Sequence, residues 1–120
     1  MLFRSETDKA ANTMESFLSK YPGQINAVMV TSDSMAVGAA QAIESAGADG
    51  IKICGFDGFQ SAIELVETGE IEMIIGQKPY EMGSEGFACG LGALDGKTYD
   101  TYINPGIQVI DSENYKDFLS

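Results

Sequence analysis

The chain contains no histidine, and its seven lysines and arginines are outnumbered by eighteen aspartates and glutamates, which gives a net charge of −11. The absence of histidine removes the commonest general base and the commonest metal ligand of proteins. The scattered negative charge repels phosphate backbones, so we expect this segment not to bind nucleic acid. These features argue against histidine-based catalysis and against a histidine-based metal site.

Cysteines and long apolar runs are also scarce. Cys54 and Cys89 stand far apart and form no CxxC motif, so we interpret both as buried free thiols rather than as a metal site or a redox pair. No apolar run approaches the length of a membrane-spanning helix, and residues 1–12 lack the apolar segment of a signal peptide. We therefore expect no cofactor, no metal and no targeting signal within this chain.

Short apolar segments alternate with segments of helical periodicity along the 120 residues, a length that fits one domain. The sequence predicts strands at 25–31, 51–54, 71–76 and 106–110, and helices before 20 and at 32–45, 59–69 and 80–96. The strand at 25–31 is apolar and β-branched, which is typical of a buried strand. Because alternating strands and helices indicate βαβ crossovers, the predicted fold class is α/β, with three layers and a mostly parallel sheet between flanking helices.

Three of the predicted strands are followed by residues that could contact a ligand. These are Ser32 and Asp33 after the first strand, Phe56 and Asp57 after the second, and Gln77 after the third. Ligands of open parallel sheets bind at the carboxyl ends of the strands, so we expect these residues to face one crevice. Structural roles remain open, because Asp33 is most simply the N-cap of the next helix, and Asp57 could equally cap the helix at 59–69.

Together these side chains fit a polyhydroxylated ligand. The carboxylate of Asp57 can accept hydrogen bonds from two adjacent hydroxyls, and the amide of Gln77 can both donate and accept. The ring of Phe56 can cover the apolar face of a sugar. Since the sequence offers no nucleophile paired with a base, it favours recognition without catalysis.

Three segments in this order resemble the C-terminal part of type 1 periplasmic sugar-binding proteins, the substrate-binding subunits of bacterial sugar ABC transporters. They are "AVMVTSDSMAVGAAQAIESAG" from Ala27, "IKICGFDG" from Ile51 and "IIGQKPYEMG" from Ile74. The family shows a similar helix start, a "GFDG" strand end and a "Q-x-P-x-x-MG" crossover, at matching spacing. The resemblance runs along the whole chain and implies an incomplete lobe of this fold.

The resemblance assigns a role to each candidate residue. Asp57 matches the family aspartate that binds sugar hydroxyls, Phe56 matches the aromatic residue beside it, and Gln77 matches the polar residue that binds sugar at the crossover between lobes. Ser32 stands where ribose-type members have a sugar-binding asparagine, so the sugar or its orientation would differ from ribose. Asp33 matches a helix-capping aspartate of the family.

Family members have two lobes and are more than twice as long as this chain. The resemblance therefore implies that residues 1–77 belong to the C-terminal sugar-binding lobe, 78–105 form a crossover helix of the other lobe, and 106–120 are a return strand and tail. It further implies a sugar ligand, an ABC permease as partner, and a periplasmic or extracellular parent protein that could carry a lipid anchor. The missing strands predict an exposed sheet edge through which copies could associate.

Two alternatives remain open. The effector-binding core of a lactose-repressor-type transcription regulator has the same fold and helix start, although such proteins more often have a second acid at the position of Gly58. A small α/β enzyme or flavodoxin-like module would need a phosphate-binding glycine loop or a catalytic pair. Neither GxGxxG nor GxxxxGK[ST] occurs in the sequence.

Overall fold

Parallel strands and the helices between them position the candidate site. The computed structural model describes residues 2–119, with side chains from residue 6 onward. The elements are α1 (Leu2–Lys20), β1 (Ala27–Met29), α2 (Asp33–Ser45), β2 (Lys52–Asp57), α3 (Gln60–Thr68), β3 (Met73–Gly76), α4 (Pro79–Leu94), β4 (Gln108–Asp111) and a 3-10 turn at Tyr115–Asp117. The described strands form one sheet in the order β1-β2-β3-β4, in which β1 pairs with β2 and β2 with β3 in parallel. The predicted α/β class, with a mostly parallel sheet and flanking helices, is confirmed.

The chain divides into two compact units, one formed by the residues up to 76 with those from 109 onward, and one formed by 77–108. The first unit contains the apolar core, whose largest fully buried side chains are Ile53, Ile71, Ile74 and Ile110. The second unit contains α4 and the loop that follows it. Pro79 lies in the first turn of α4. Proline has no backbone N–H, but N–H groups in the first turn have no partner within the helix, so α4 loses no hydrogen bond there.

Helices α1 and α2 cross closely at Gly38. A β-carbon at this position would overlap the carbonyl oxygen of Thr7 and would lie 3.3 Å from the β-carbon of Ala10. The small residues of the "MAVGAA" segment therefore allow the two helix backbones to approach each other. This contact fixes α2, whose first turn belongs to the candidate site described below.

Two strands differ from their predicted form. The segment at 25–31 was expected to be buried, but β1 covers only Ala27–Met29, and the side chain of Met29 is 74% exposed. β1 lies at an edge of the sheet, and an edge strand pairs on one side only. The second strand continues beyond its predicted end at residue 54, because pairing with β3 extends to Asp57 opposite Gly76.

Candidate functional site

Asp57 is the last residue of β2 and has an unusual backbone conformation. Its φ angle is +129°, and it is the only residue besides glycine with a positive φ among those that the structure describes. Side chains other than that of glycine are strained in this region, and such strain often marks functional positions. Gly58 follows with a φ of +102°, so the chain turns sharply where the strand ends.

The carboxylate of Asp57 lies at the beginning of α2. Its Oδ2 accepts a hydrogen bond of 3.4 Å from the backbone N–H of Asp33, the first residue of that helix. The N–H groups of a first helical turn have no partners within the helix, and the helix dipole favours a negative charge there. The side chain of Asp57 is half-buried. The fold thus places this carboxylate beside the start of α2, next to Ser32.

Asp33 does not cap its own helix, contrary to the prediction. Ser32 is the N-cap residue of α2, and α2 begins at Asp33 itself. Instead, Oδ2 of Asp33 accepts hydrogen bonds of 2.7 Å from the backbone N–H groups of Gly58 and Phe59. Phe59 is the N-cap residue of α3, so the carboxylate of Asp33 caps the start of that helix. Its partners are more than twenty residues away, which no local cap pattern could predict.

The side chain of Asp33 is fully buried, with 0% of its surface exposed. Its second oxygen, Oδ1, has no hydrogen-bond partner among the described residues. A β-carbon at Gly55 would lie only 2.5 Å from this oxygen, so the carboxylate packs directly against β2. Burial raises the pKa of Asp33, an effect that the N–H groups of Phe59 and Gly58 oppose and that the charge of Asp57 reinforces.

Ser32 has a polar partner that the sequence did not indicate. Its hydroxyl lies 2.7 Å from the hydroxyl of Ser34, and it makes no side-chain cap to α2. Both serines are half-buried. The start of α2 therefore offers a pair of hydroxyl groups next to the N–H that contacts Asp57. Ser34 was absent from the predicted site, because only the folded helix start brings the two hydroxyls together.

The other predicted residues lie in two different units. Phe56 is half-buried in β2, opposite Ile75 of β3. Gln77 is also half-buried and follows Gly76 directly, as the first residue of the second unit. The first unit thus brings Asp57 to the helix start beside Ser32, whereas the contribution of Gln77 to the same site stays a prediction.

An apolar groove of about 510 Å³ lies in the first unit, between α1, β1 and α2. Its lining includes Met14, Phe17, Val28, Met29, Val30 and Met35. Ser32 is the one candidate site residue that contributes to this lining. Because the groove is mainly apolar, it does not suit a sugar.

Other kinds of site find little support in the described part of the chain. Cys54 and Cys89 are free thiols, as expected, but both are half-buried rather than buried. Burial and the nearby Asp33 raise the pKa of the Cys54 thiol. No group of three or more potential ligand side chains within the described residues could hold a metal ion. No described helix is both long and apolar enough to cross a membrane.

Comparisons with known proteins identify the family. A family model described as a periplasmic binding protein domain matches residues 4–98. The chain is 32% identical over 107 residues to a xylitol-binding protein of Mycolicibacterium smegmatis, and 32% identical over 89 residues to the ribose import binding protein of Escherichia coli. These alignments cover 83% and 74% of this chain, respectively, and 30% of each relative. The chain belongs to the periplasmic binding protein family.

Solved structures agree with this assignment. The fold matches an ABC transporter periplasmic solute binding protein from Actinobacillus succinogenes with bound D-allose, at a TM-score of 0.82 and 30% identity. It also matches a glucose-galactose binding protein from Geobacillus stearothermophilus, at a TM-score of 0.85 and 28% identity. These matches cover 92% and 90% of this chain but only 40% and 39% of the solved chains. The resemblance predicted from the three sequence segments is confirmed, and none of the relatives named above supports a transcription regulator.

Proposed function

We propose that this chain is a sugar-binding segment of a solute-binding protein that supplies a bacterial ABC importer. The observation that carries the proposal is the strained Asp57 at the end of β2, whose carboxylate lies at the start of α2. By their own descriptions, the proteins named above bind xylitol, ribose, D-allose, or glucose and galactose, which supports a polyhydroxylated ligand. In this function the protein recognises its ligand and catalyses no reaction.

Each candidate residue has a separate part in the proposed recognition. Asp57 accepts hydrogen bonds from two sugar hydroxyls, and such charge-assisted bonds are stronger than neutral ones. Ser32 contributes a hydroxyl, Phe56 covers an apolar face of the sugar, and Gln77 offers its amide. The hydroxyl of Ser32 cannot make the two-fold contact of an asparagine amide, so we expect either a sugar other than ribose or a different orientation of the sugar.

The proposal includes a second lobe. The chain spans less than half of the relatives and solved chains named above, and we assign residues 1–77 to one lobe, 78–105 to the other and 106–120 to the return segment. Exposed apolar side chains on α4 support a partner surface for this helix, since Tyr80, Phe87 and Leu94 are 83%, 69% and 85% exposed. Closure of the two lobes around the sugar would then present the protein to a permease outside the cytoplasm.

Calorimetry on the complete gene product that includes this chain tests the proposal. The panel contains ribose, allose, xylitol and galactose, and the variants are Asp57→Ala and, as a surface control of the same charge change, Asp49→Ala. We expect at least one sugar to bind, and Asp57→Ala to weaken it about tenfold or more, because a hydrogen bond to a charged group contributes roughly 1.5–3 kcal/mol. Asp49→Ala should retain wild-type affinity.

Two results would contradict this proposal. If none of the sugars binds to the folded wild-type protein, the sugar-binding function is wrong. If a folded Asp57→Ala variant binds sugar with unchanged affinity, Asp57 has a structural role only. Replacement of Ser32 by asparagine then tests specificity, since it should shift the preference of the protein towards ribose.

A further inference from the structure

We propose that Asp33 is a positioning residue, whose buried carboxylate and backbone N–H hold Asp57 in the conformation that binds the ligand. This inference rests on the proposed function, because it assumes that Asp57 contacts a sugar. Asp33 itself cannot make that contact, since none of its surface is exposed. It acts on the ligand only through Asp57 and through the two residues that follow it.

Asp33 holds both the backbone and the side chain around Asp57. Its Oδ2 accepts hydrogen bonds of 2.7 Å from the N–H groups of Gly58 and Phe59, the two residues directly after Asp57. Its own backbone N–H donates to Oδ2 of Asp57 at 3.4 Å. One residue therefore fixes the peptide on the C-terminal side of Asp57 and also orients the carboxylate of Asp57.

The strained backbone explains why such a holding group is needed. With a φ of +129°, Asp57 occupies a region that side chains other than that of glycine rarely adopt. A strained conformation persists only when the surrounding structure imposes it. The N–H groups of Gly58 and Phe59 provide this constraint by donating two short hydrogen bonds to the carboxylate of Asp33, since bonds to a carboxylate acceptor are the stronger kind. Without them the turn could relax, and the carboxylate of Asp57 would move.

Gly55 belongs to the same arrangement. Asp33 reaches the N–H groups only because β2 carries no side chain at this point, since a β-carbon at Gly55 would lie 2.5 Å from Oδ1 of Asp33 and 3.3 Å from Cγ1 of Ile74. A methyl group there would displace the carboxylate without altering Asp57 itself. Gly55→Ala is thus a second way to disturb the same hydrogen bonds, independent of any substitution at Asp33.

The test compares Asp33→Ala, Asp33→Asn and Val66→Ala in the complete gene product that includes this chain. Val66 is buried in α3, so its truncation lowers stability without removing a bond to the turn after Asp57. Affinity for the sugar that the wild type binds is measured by calorimetry, well below the unfolding temperature of each variant. We expect Asp33→Ala to weaken binding about tenfold or more, and Asp33→Asn to restore most of it, because an amide oxygen also accepts from N–H groups. Val66→Ala should lower the melting temperature and leave affinity unchanged.

If Asp33 only stabilises the fold, the sugar affinities give a different result. The folded Asp33→Ala and Val66→Ala variants would then bind the sugar with the same affinity. That result overturns the inference. If Asp33→Ala does not fold, Gly55→Ala replaces it, and wild-type affinity in folded Gly55→Ala also overturns the inference.

Amide hydrogen exchange separates this inference from the proposed function. Exchange of the Gly58 and Phe59 N–H groups should accelerate in Asp33→Ala and remain slow in Asp33→Asn, whether or not a sugar is known. If the wild type binds none of the sugars, the proposed function fails and the positioning of a ligand-binding Asp57 fails with it. If a sugar binds but exchange and affinity are unaffected by Asp33→Ala, the positioning role alone is wrong.

Discussion

Oδ2 of Asp33 accepts a hydrogen bond of 2.7 Å from the backbone N–H of Phe59, which ties the first residue of α2 to the N-cap residue of α3. The two helices follow different strands, so this bond joins consecutive βα units at the carboxyl ends of β1 and β2. It also places a buried, titratable carboxyl group next to the turn that contains Asp57. The stability of this region should therefore respond to pH and to small changes in packing.

The first prediction concerns pH. Burial and the nearby Asp57 raise the pKa of Asp33 above its ordinary value of 3.8, so the folded chain binds a proton at this site more tightly than the unfolded chain does. The contribution of Asp33 to stability is then greatest below pH 3.8 and falls as the pH rises through the folded-state pKa. Asp33→Asn does not titrate, so its stability relative to the wild type should increase from acidic to neutral pH.

Urea unfolding of this chain at a series of pH values measures that difference. Asp49→Asn, on the exposed loop before β2, controls for the loss of one negative charge from a chain of net charge −11. A difference between wild type and Asp33→Asn that is independent of pH, or that decreases towards neutral pH, would show that the folded-state pKa of Asp33 is not raised.

The second prediction concerns the crossing of α1 and α2. Gly38→Ala should destabilise the chain by about 1–3 kcal/mol, the usual range for overpacking, because the new methyl group would overlap the backbone of Thr7. This loss should exceed the gain of roughly 1 kcal/mol that alanine brings to a helix in place of glycine. Gly86→Ala in α4 is the matched control, since a β-carbon at Gly86 would meet no neighbouring atom within 4 Å.

Denaturant unfolding should therefore give opposite signs for the two substitutions, with Gly38→Ala less stable than the wild type and Gly86→Ala more stable. Equal effects at Gly38 and Gly86 would mean that the helix crossing tolerates a methyl group.

The order of the elements was predictable from sequence, whereas several strand ends were not. Alternating apolar and helical segments identified the parallel neighbours β1, β2 and β3, which the pairing confirms. The end of β2 was predicted three residues too early, because Gly55, Phe56 and Asp57 carry no strand pattern of their own. Their strand geometry comes from pairing with β3 up to Gly76, and such tertiary contacts override local propensity.

The candidate site, too, was predictable from the sequence only in part. Asp57 was predicted as a site residue because it follows an apolar strand and lies between Gly55 and Gly58, and this assignment stays a prediction. The hydrogen bonds of Asp33 were not predicted, because a cap residue and an acceptor for N–H groups 25 and 26 residues away cannot be told apart in the sequence. The strained φ of Asp57 could not be predicted from the sequence either, since aspartate has no local preference that would require this conformation.

The third prediction uses this strain. Asp57→Gly and Asp57→Ala both remove the carboxylate, so their difference in stability reports the backbone alone. At a φ of +129° glycine should be the more stable of the two by about 1 kcal/mol or more, because alanine retains a β-carbon in a disfavoured conformation. In an ordinary helix the order is reversed, so Glu64→Gly should be less stable than Glu64→Ala in α3 by about 1 kcal/mol.

Thermal or urea unfolding of these four variants checks the inversion. An alanine variant at position 57 as stable as the glycine variant would mean that the backbone there is not strained, and the reason for a holding role of Asp33 would be lost.

The last prediction concerns association of this chain. β1 is an edge strand, and its Met29 is 74% exposed beside the apolar groove, where Phe17 is 47% exposed. An unpaired strand edge next to exposed apolar side chains favours pairing with another copy. We expect the 120-residue chain to associate as its concentration rises, and Met29→Lys to reduce this association, since a lysine on an edge strand opposes such pairing.

Leu94→Lys, which places the same charge on an 85% exposed residue of α4, is the matched control and separates association through β1 from association through α4. Sedimentation velocity across a wide concentration range measures the outcome. A chain that stays monomeric throughout, or one whose association Leu94→Lys reduces as strongly as Met29→Lys, would show that the edge of β1 is not the contact.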